Sequence, residues 1–162
     1  MWGIKNISIT VEMDQKISHN IATVFGLGKL PLAPGTWGSL AGLVLCVALH
    51  GHIVLYTLVF LCLFIIGVIS AANVEADSDV RDPAYIVIDE FACIFPVFFL
   101  IPLSPAYVLA GFIIYRLMDI VKPPPIRKIE KLKGGWGIML DDLVAAIYAN
   151  IILHSLVYSR IF

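Results

Sequence analysis

The residues of this chain best suited to chemistry are five acids set in or beside apolar runs: Asp89, Glu90, Asp119, Asp141 and Asp142. Asp89-Glu90 lies between Tyr85-Ile86-Val87-Ile88 and Phe91-Ala92-Cys93-Ile94-Phe95. Ionisable groups in such surroundings are costly and suggest function. Five carboxylates brought together repel unless a cation or basic side chains intervene. With neither His nor Cys among them, these oxygen ligands suit Mg²⁺ or Mn²⁺ better than zinc. Two glycine-rich turns, each beside a lysine and each leading into a helix start, add an anion cradle: Lys29…Pro34-Gly35-Thr36-Trp37-Gly38-Ser39 and Lys133-Gly134-Gly135-Trp136-Gly137. Their backbone N–H groups can approach a phosphate, and helix N-termini favour negative charge. A metal, carboxylates and a phosphate pocket beside apolar segments imply phosphoryl chemistry on a lipid headgroup.

Each piece also has a structural explanation. Asp141-Asp142 at a helix start could merely complement the helix dipole. Arg116 and Asp119, three apart, could be an ion pair on one helix face. The glycines could serve tight turns and close helix packing. Other phosphoryl chemistries lack their motifs. No Cys is followed six positions later by Arg, and no Gly-Lys-Ser/Thr loop is present. Asp77-Ser78-Asp79 has the D-x-D form but ends an apolar helix instead of a buried strand. His19, His50, His52 and His154 fall outside the acidic group. Cys46, Cys62 and Cys93 sit in apolar runs and read as small buried hydrophobes.

The elements that must position these groups are apolar. Of 162 residues, 60% are hydrophobic and only 14% charged, with net charge −1 and mean hydropathy +0.94. An ordinary soluble domain carries about 25% charged residues, so this balance argues against a soluble enzyme, a disordered chain or a nucleic-acid binder. Five hydrophobic segments follow one another: Trp37–Leu49, Ile53–Ala72, Pro83–Ile101, Tyr107–Val121 and Ile138–Val157. Only the second is a clean span of about 20 residues. The first, about 20 Å long as a helix, is too short to cross and reads as re-entrant or packed within protein. Asp14 caps an amphipathic interfacial helix with Ile17, Ile21, Val24 and Phe25 on one face. The glycines and prolines of 26–39 forbid regular helix. Asp82-Pro83 reads as an N-cap with Pro at the first helical position, placing Asp89-Glu90 two turns in, and Pro96 should kink that helix. Pro123-Pro124-Pro125 ends the fourth segment. The fold expected is a single all-α domain over 1–162. It is a compact membrane-embedded bundle of about five hydrophobic helices, some short or re-entrant, plus the N-terminal amphipathic helix.

Basic residues set the expected orientation. Lys5, Lys16, Lys29, Arg81, Arg116, Lys122, Arg127, Lys128, Lys131 and Lys133 fall on one side of an alternating topology, and only Arg160 falls on the other. By the positive-inside rule the N-terminus is cytoplasmic, the C-terminus is outside, and all the acids approach the cytoplasmic face. No signal peptide is read at 1–16.

Three blocks then carry a family resemblance. Gly26-Leu27-Gly28-Lys29-Leu30-Pro31-Leu32-Ala33-Pro34-Gly35-Thr36-Trp37-Gly38-Ser39-Leu40 resembles the first block of bacterial phosphatidylglycerophosphatase A, and Asp89-Glu90-Phe91 the second. The third is Gly111-Phe112 with Tyr115-Arg116-Leu117-Met118-Asp119-Ile120-Val121-Lys122-Pro123-Pro124-Pro125-Ile126, continuing through Gly134-Gly135-Trp136-Gly137-Ile138-Met139-Leu140-Asp141-Asp142. The likeness runs from about Gly26 to Ala146. Where the family usually has Asp-Arg, this chain has Glu130-Lys131, and Ala146 replaces a common Gly.

The resemblance implies an all-helical, Mg²⁺-dependent, multi-pass enzyme of the bacterial inner membrane, its active site facing the cytoplasm. Such an enzyme removes the terminal phosphate of phosphatidylglycerophosphate, its phospholipid substrate, in phospholipid biosynthesis, and uses neither nucleotide nor nucleic acid. On this reading Asp89, Glu90, Asp119 and Asp142 hold Mg²⁺, and Asp141 is a ligand or general base. Lys29, Arg116, Lys122 and Arg127 neutralise the phosphate. Thr36, Ser39 and the Gly134-Gly135 backbone donate to its oxygens. The expected nucleophile is a metal-activated water, with an aspartyl-phosphate intermediate as the alternative. The competing functions are a small ion- or proton-coupled transporter, whose carboxylates should lie at mid-membrane, and a catalytically inactive membrane subunit.

Overall fold

The computed structural model describes residues 13–78 and 80–159. Lys5, Asp79, Arg160 and most of the segment read as lacking a signal peptide lie outside the described residues. Among those described there is no strand. The elements are α1 (Gln15–Ala22), a 3₁₀ turn (Leu27–Lys29), α2 (Pro34–Leu49), α3 (Ile53–Ser78), α4 (Ile88–Val97), α5 (Pro105–Val121), α6 (Ile126–Ile129) and α7 (Gly135–Tyr158). The expected five hydrophobic helices are α2, α3, α4, α5 and α7. The short α6 is an additional helix, within the 122–137 connection.

The shortest hydrophobic helix forms the core. Ala92, Cys93, Ile94, Phe95 and Val97 of α4 are fully buried, with α2, α3 and α7 packed around them. α2 approaches through a stripe of small residues. A side chain at Gly38 would strike Val87, and one at Gly42 would strike the Phe91 carbonyl. Gly35, Ser39 and Cys46 continue the buried stripe, while Trp37, Leu40, Val44 and Val47 face outward. Thus 26–39 is not free of helix: Pro34 takes the first turn of α2, where its missing N–H costs nothing, and the glycines are retained for close contact.

Further expectations are corrected. The third segment is helical only over Ile88–Val97, about 15 Å, which is too short to cross a bilayer. Asp82 takes a left-handed φ of 46°, so the chain turns there and helix waits until Val87, whose N–H donates to the Ala22 carbonyl. Pro96 therefore falls at the last turn of α4 and ends it. Asp14 does cap α1, accepting from the N–H groups of Lys16 and Ile17. The face α1 buries, however, is Ser18 and Ala22 against α3, with Ile17 exposed. The reason is close packing: small residues let α1 lie against α3, where Asn73 Nδ2 donates to Ser18 Oγ. Finally, Cys62 is exposed on the outer face of α3, while Cys46 and Cys93 are buried.

Two helices are long and apolar enough to cross a membrane, Ile53–Ser78 and Gly135–Tyr158. The starts of α2 and α4 meet the end of α5, since Gly35 lies against Glu90 and Arg116, and the start of α7 lies on the C-terminal half of α3, Gly135 against Val68. Successive hydrophobic helices therefore run alternately away from and towards one end of the bundle, and the acids collect there.

Candidate active site

α4 and α7 each bring acids to this end, at positions that reverse the sequence expectation. Asp89 and Glu90 stand in the first turn of α4, where the helix dipole favours them. Asp141 and Asp142 stand two turns inside α7, because helix already begins at Gly135. Gly134 provides the entry at φ 70°. A side chain at Gly135 would strike the Val68 carbonyl, and one at Gly137 the Leu132 carbonyl. These glycines thus serve packing, and the Gly137 N–H is used on the Gly134 carbonyl. Dipole complementation no longer explains Asp141-Asp142.

Asp89, Glu90 and Asp142 converge, one carboxylate oxygen from each lying within 4.8 Å of the others. Asp89 Oδ1 and Glu90 Oε2 are buried without a hydrogen-bond partner among the described residues. The Tyr115 hydroxyl donates to Asp142 Oδ2 at 2.7 Å. Tyr115 is a site residue that sequence reasoning passed over. It lies one turn before Asp119 on the same face of α5, and it is fully buried.

Arg116 faces the trio from α5. Its Nη1 lies 2.9 Å from Asp119 Oδ2 and 3.6 Å from Glu90 Oε1, and donates to Ser39 Oγ at 3.3 Å. The Arg116–Asp119 ion pair, the structural alternative for these two residues, is therefore present, and Asp119 stands with the guanidinium instead of completing the trio. Arg116 Nε is buried without a hydrogen-bond partner among the described residues. The first turn of α2 comes so close that a side chain at Gly35 would strike Glu90 and approach Arg116 Nη2. Ser39 Oγ in turn donates to the Gly35 carbonyl.

A second ion cluster adjoins the first. Lys122 Nζ lies 2.6 Å from Asp141 Oδ2 and 3.1 Å from Glu130 Oε2. Partial burial would lower the Lys122 pKa, but the hydrogen bonds and charges of Asp141 and Glu130 outweigh it and hold the ammonium above its ordinary value. Glu130, where the resembled family carries Asp, thus keeps a carboxylate on Lys122.

The remaining candidates stand differently. Arg127 donates to the carbonyls of Val121 and Lys122, capping α5. Thr36 is half-buried in the first turn of α2, and its N–H bonds the Ala33 carbonyl. Lys29 ends the 3₁₀ turn, exposed, and makes no ion pair with these acids among the described residues.

Comparison with known proteins follows the same blocks. A family model described as "Phosphatidylglycerophosphatase A" matches residues 20–157. A Haemophilus influenzae protein named "Phosphatidylglycerophosphatase A" is 46% identical over 144 residues, 86% of this chain and 88% of its own length. An Escherichia coli protein of the same name is 38% identical over 141 residues, 84% and 81% of the two chains. A Bacteroides thetaiotaomicron protein named "Putative phosphatidylinositol-3-phosphatase" is 36% identical over 141 residues, 82% and 89%. No solved structure matches.

Proposed function

Because the chain belongs to the phosphatidylglycerophosphatase A family of phosphomonoester hydrolases, we propose that it hydrolyses the terminal phosphomonoester of phosphatidylglycerophosphate, leaving phosphatidylglycerol and inorganic phosphate. The observation that carries the reading is the convergence of Asp89, Glu90 and Asp142 beside Arg116. This donor set fits Mg²⁺. It is all carboxylate, and two of its buried oxygens have no hydrogen-bond partner among the described residues. Bound there, Mg²⁺ would supply positive charge to the phosphoryl oxygens and draw in the attacking water. Arg116 offers Nε and Nη2 as a fork for two phosphate oxygens, with Asp119 and Ser39 holding Nη1. Tyr115 keeps Asp142 oriented. Lys122 anchors Asp141 and keeps a positive charge in the site.

The protein is read as a multi-pass inner-membrane enzyme with this end in the cytoplasm. Two long apolar helices, together with Arg81, Lys122, Arg127, Lys128, Lys131 and Lys133 near the site end, support that orientation. Phosphate release by detergent-solubilised protein tests the function. Phosphatidylglycerophosphate should be hydrolysed in preference to phosphatidylinositol 3-phosphate, chelation by EDTA should abolish the rate, and Mg²⁺ should restore it. Preference for the inositol lipid would overturn the substrate, and activity persisting in EDTA would overturn the metal.

A further inference from the structure

The segment joining α1 to α2 has two unlike faces. Thr23, Val24 and Gly28 are buried. A side chain at Gly28 would strike the Tyr85 carbonyl, so this face is pressed against the fold. The other face holds Phe25, 88% exposed, and Leu32, 100% exposed, with Leu30 between them also exposed. Val24, Phe25 and Leu32 have φ of 46°, 53° and 80°. Branched or bulky residues seldom adopt that region. The backbone bears this strain while two large apolar side chains touch little among the described residues, which leaves them open to a partner.

The surroundings identify that partner. Trp37 is half-exposed, and its Nε1 donates to the Pro31 carbonyl at 3.4 Å, folding the loop back beside the indole. Trp136, in the first turn of α7 at the same end of the bundle, is also half-exposed. Tryptophans so placed mark the level where headgroups meet acyl chains. Below Trp37, the exposed Leu40, Val44 and Val47 continue the apolar surface along α2. Lys29, within the loop, is exposed, which suits an anionic surface. Gly35, three residues beyond Leu32, touches the Glu90–Arg116 pair.

We propose that the 24–32 loop is a membrane wedge: Phe25, Leu30 and Leu32 insert at the boundary of headgroups and acyl chains of an anionic bilayer, seating the acidic site at headgroup height. This inference rests on the membrane lipid-phosphatase reading above. The test uses the full chain with Cys62→Ser and Leu32→Cys, labelled with an environment-sensitive fluorophore and reconstituted in vesicles of equal phosphatidylcholine and phosphatidylglycerol. A lipid spin label near the glycerol end of the acyl chain should quench the fluorophore, and aqueous iodide should not. Quenching by iodide would overturn the wedge, and so would quenching by neither, which would mean the loop is covered by protein. In parallel, Phe25→Ser with Leu32→Ser should raise KM for vesicle-borne phosphatidylglycerophosphate about fivefold or more. Its kcat/KM on a short-chain, monomerically dispersed form of that lipid should stay unchanged. An unchanged vesicle KM would refute the wedge. If the wild type releases no phosphate from either form, the substrate reading fails, while the quenching result still decides where the loop lies.

Discussion

Arg116 holds Asp119, Glu90 and Ser39 through one nitrogen, and its Nε has no partner among the described residues. A lysine keeps the charge but cannot hold these groups and also offer a fork. Arg116→Lys should lower kcat/KM more than tenfold, about 1.4 kcal/mol or more. Steady-state kinetics at wild-type level would reduce Arg116 to an ion-pair partner. Asp142→Asn tests the trio itself. The amide keeps the shape and can still accept from Tyr115, but it removes one of three clustered charges. Activity should fall by about 100-fold or more, while thermal unfolding without Mg²⁺ should occur at no lower a temperature, because a repulsion is gone. An active variant would leave Asp142 a structural acid. At this scale the sequence singled out the acids as candidates. It was silent on Tyr115, whose role depends on a contact between helices 27 residues apart.

Between elements, glycine decides how closely the helices that carry the acids approach one another. Gly135 lets the start of α7 lie on the Val68 carbonyl of α3, and α7 then presents Asp141 and Asp142 two turns further on. Gly135→Ala should cost about 1–3 kcal/mol through overpacking, read as a lower unfolding temperature in detergent. Gly51→Ala, with nothing within 4 Å of an added side chain, should leave it unchanged. Equal behaviour of the two variants would show that this contact does not limit packing. The same packing explains why the glycine-rich stretches misled as loops: propensity disfavours glycine in a helix by about 1 kcal/mol, but helix contacts this close tolerate no side chain there.

For the whole molecule, the alternating run of helices puts the last turns of α3 and the connection from α5 to α7 at the site end. A cysteine introduced at Ser78 or Lys131, in a Cys62→Ser background, should resist an impermeant thiol reagent applied to intact cells and react once the cells are opened. Labelling from outside would place the site on the opposite face. The sequence by itself determined the all-helical class, the hydrophobic segments, the acids and the family. All of these follow from residue type, run length and local order. Only the tertiary structure decided that Asp89, Glu90 and Asp142 form one group while Asp119 goes to Arg116 and Asp141 to Lys122. It also decided that α4 is a short buried core and not a span. Those outcomes depend on where helices start and how closely they pack, and a start is set by contacts across the fold, such as Val87 on Ala22 and Gly135 on Val68, that no local pattern encodes.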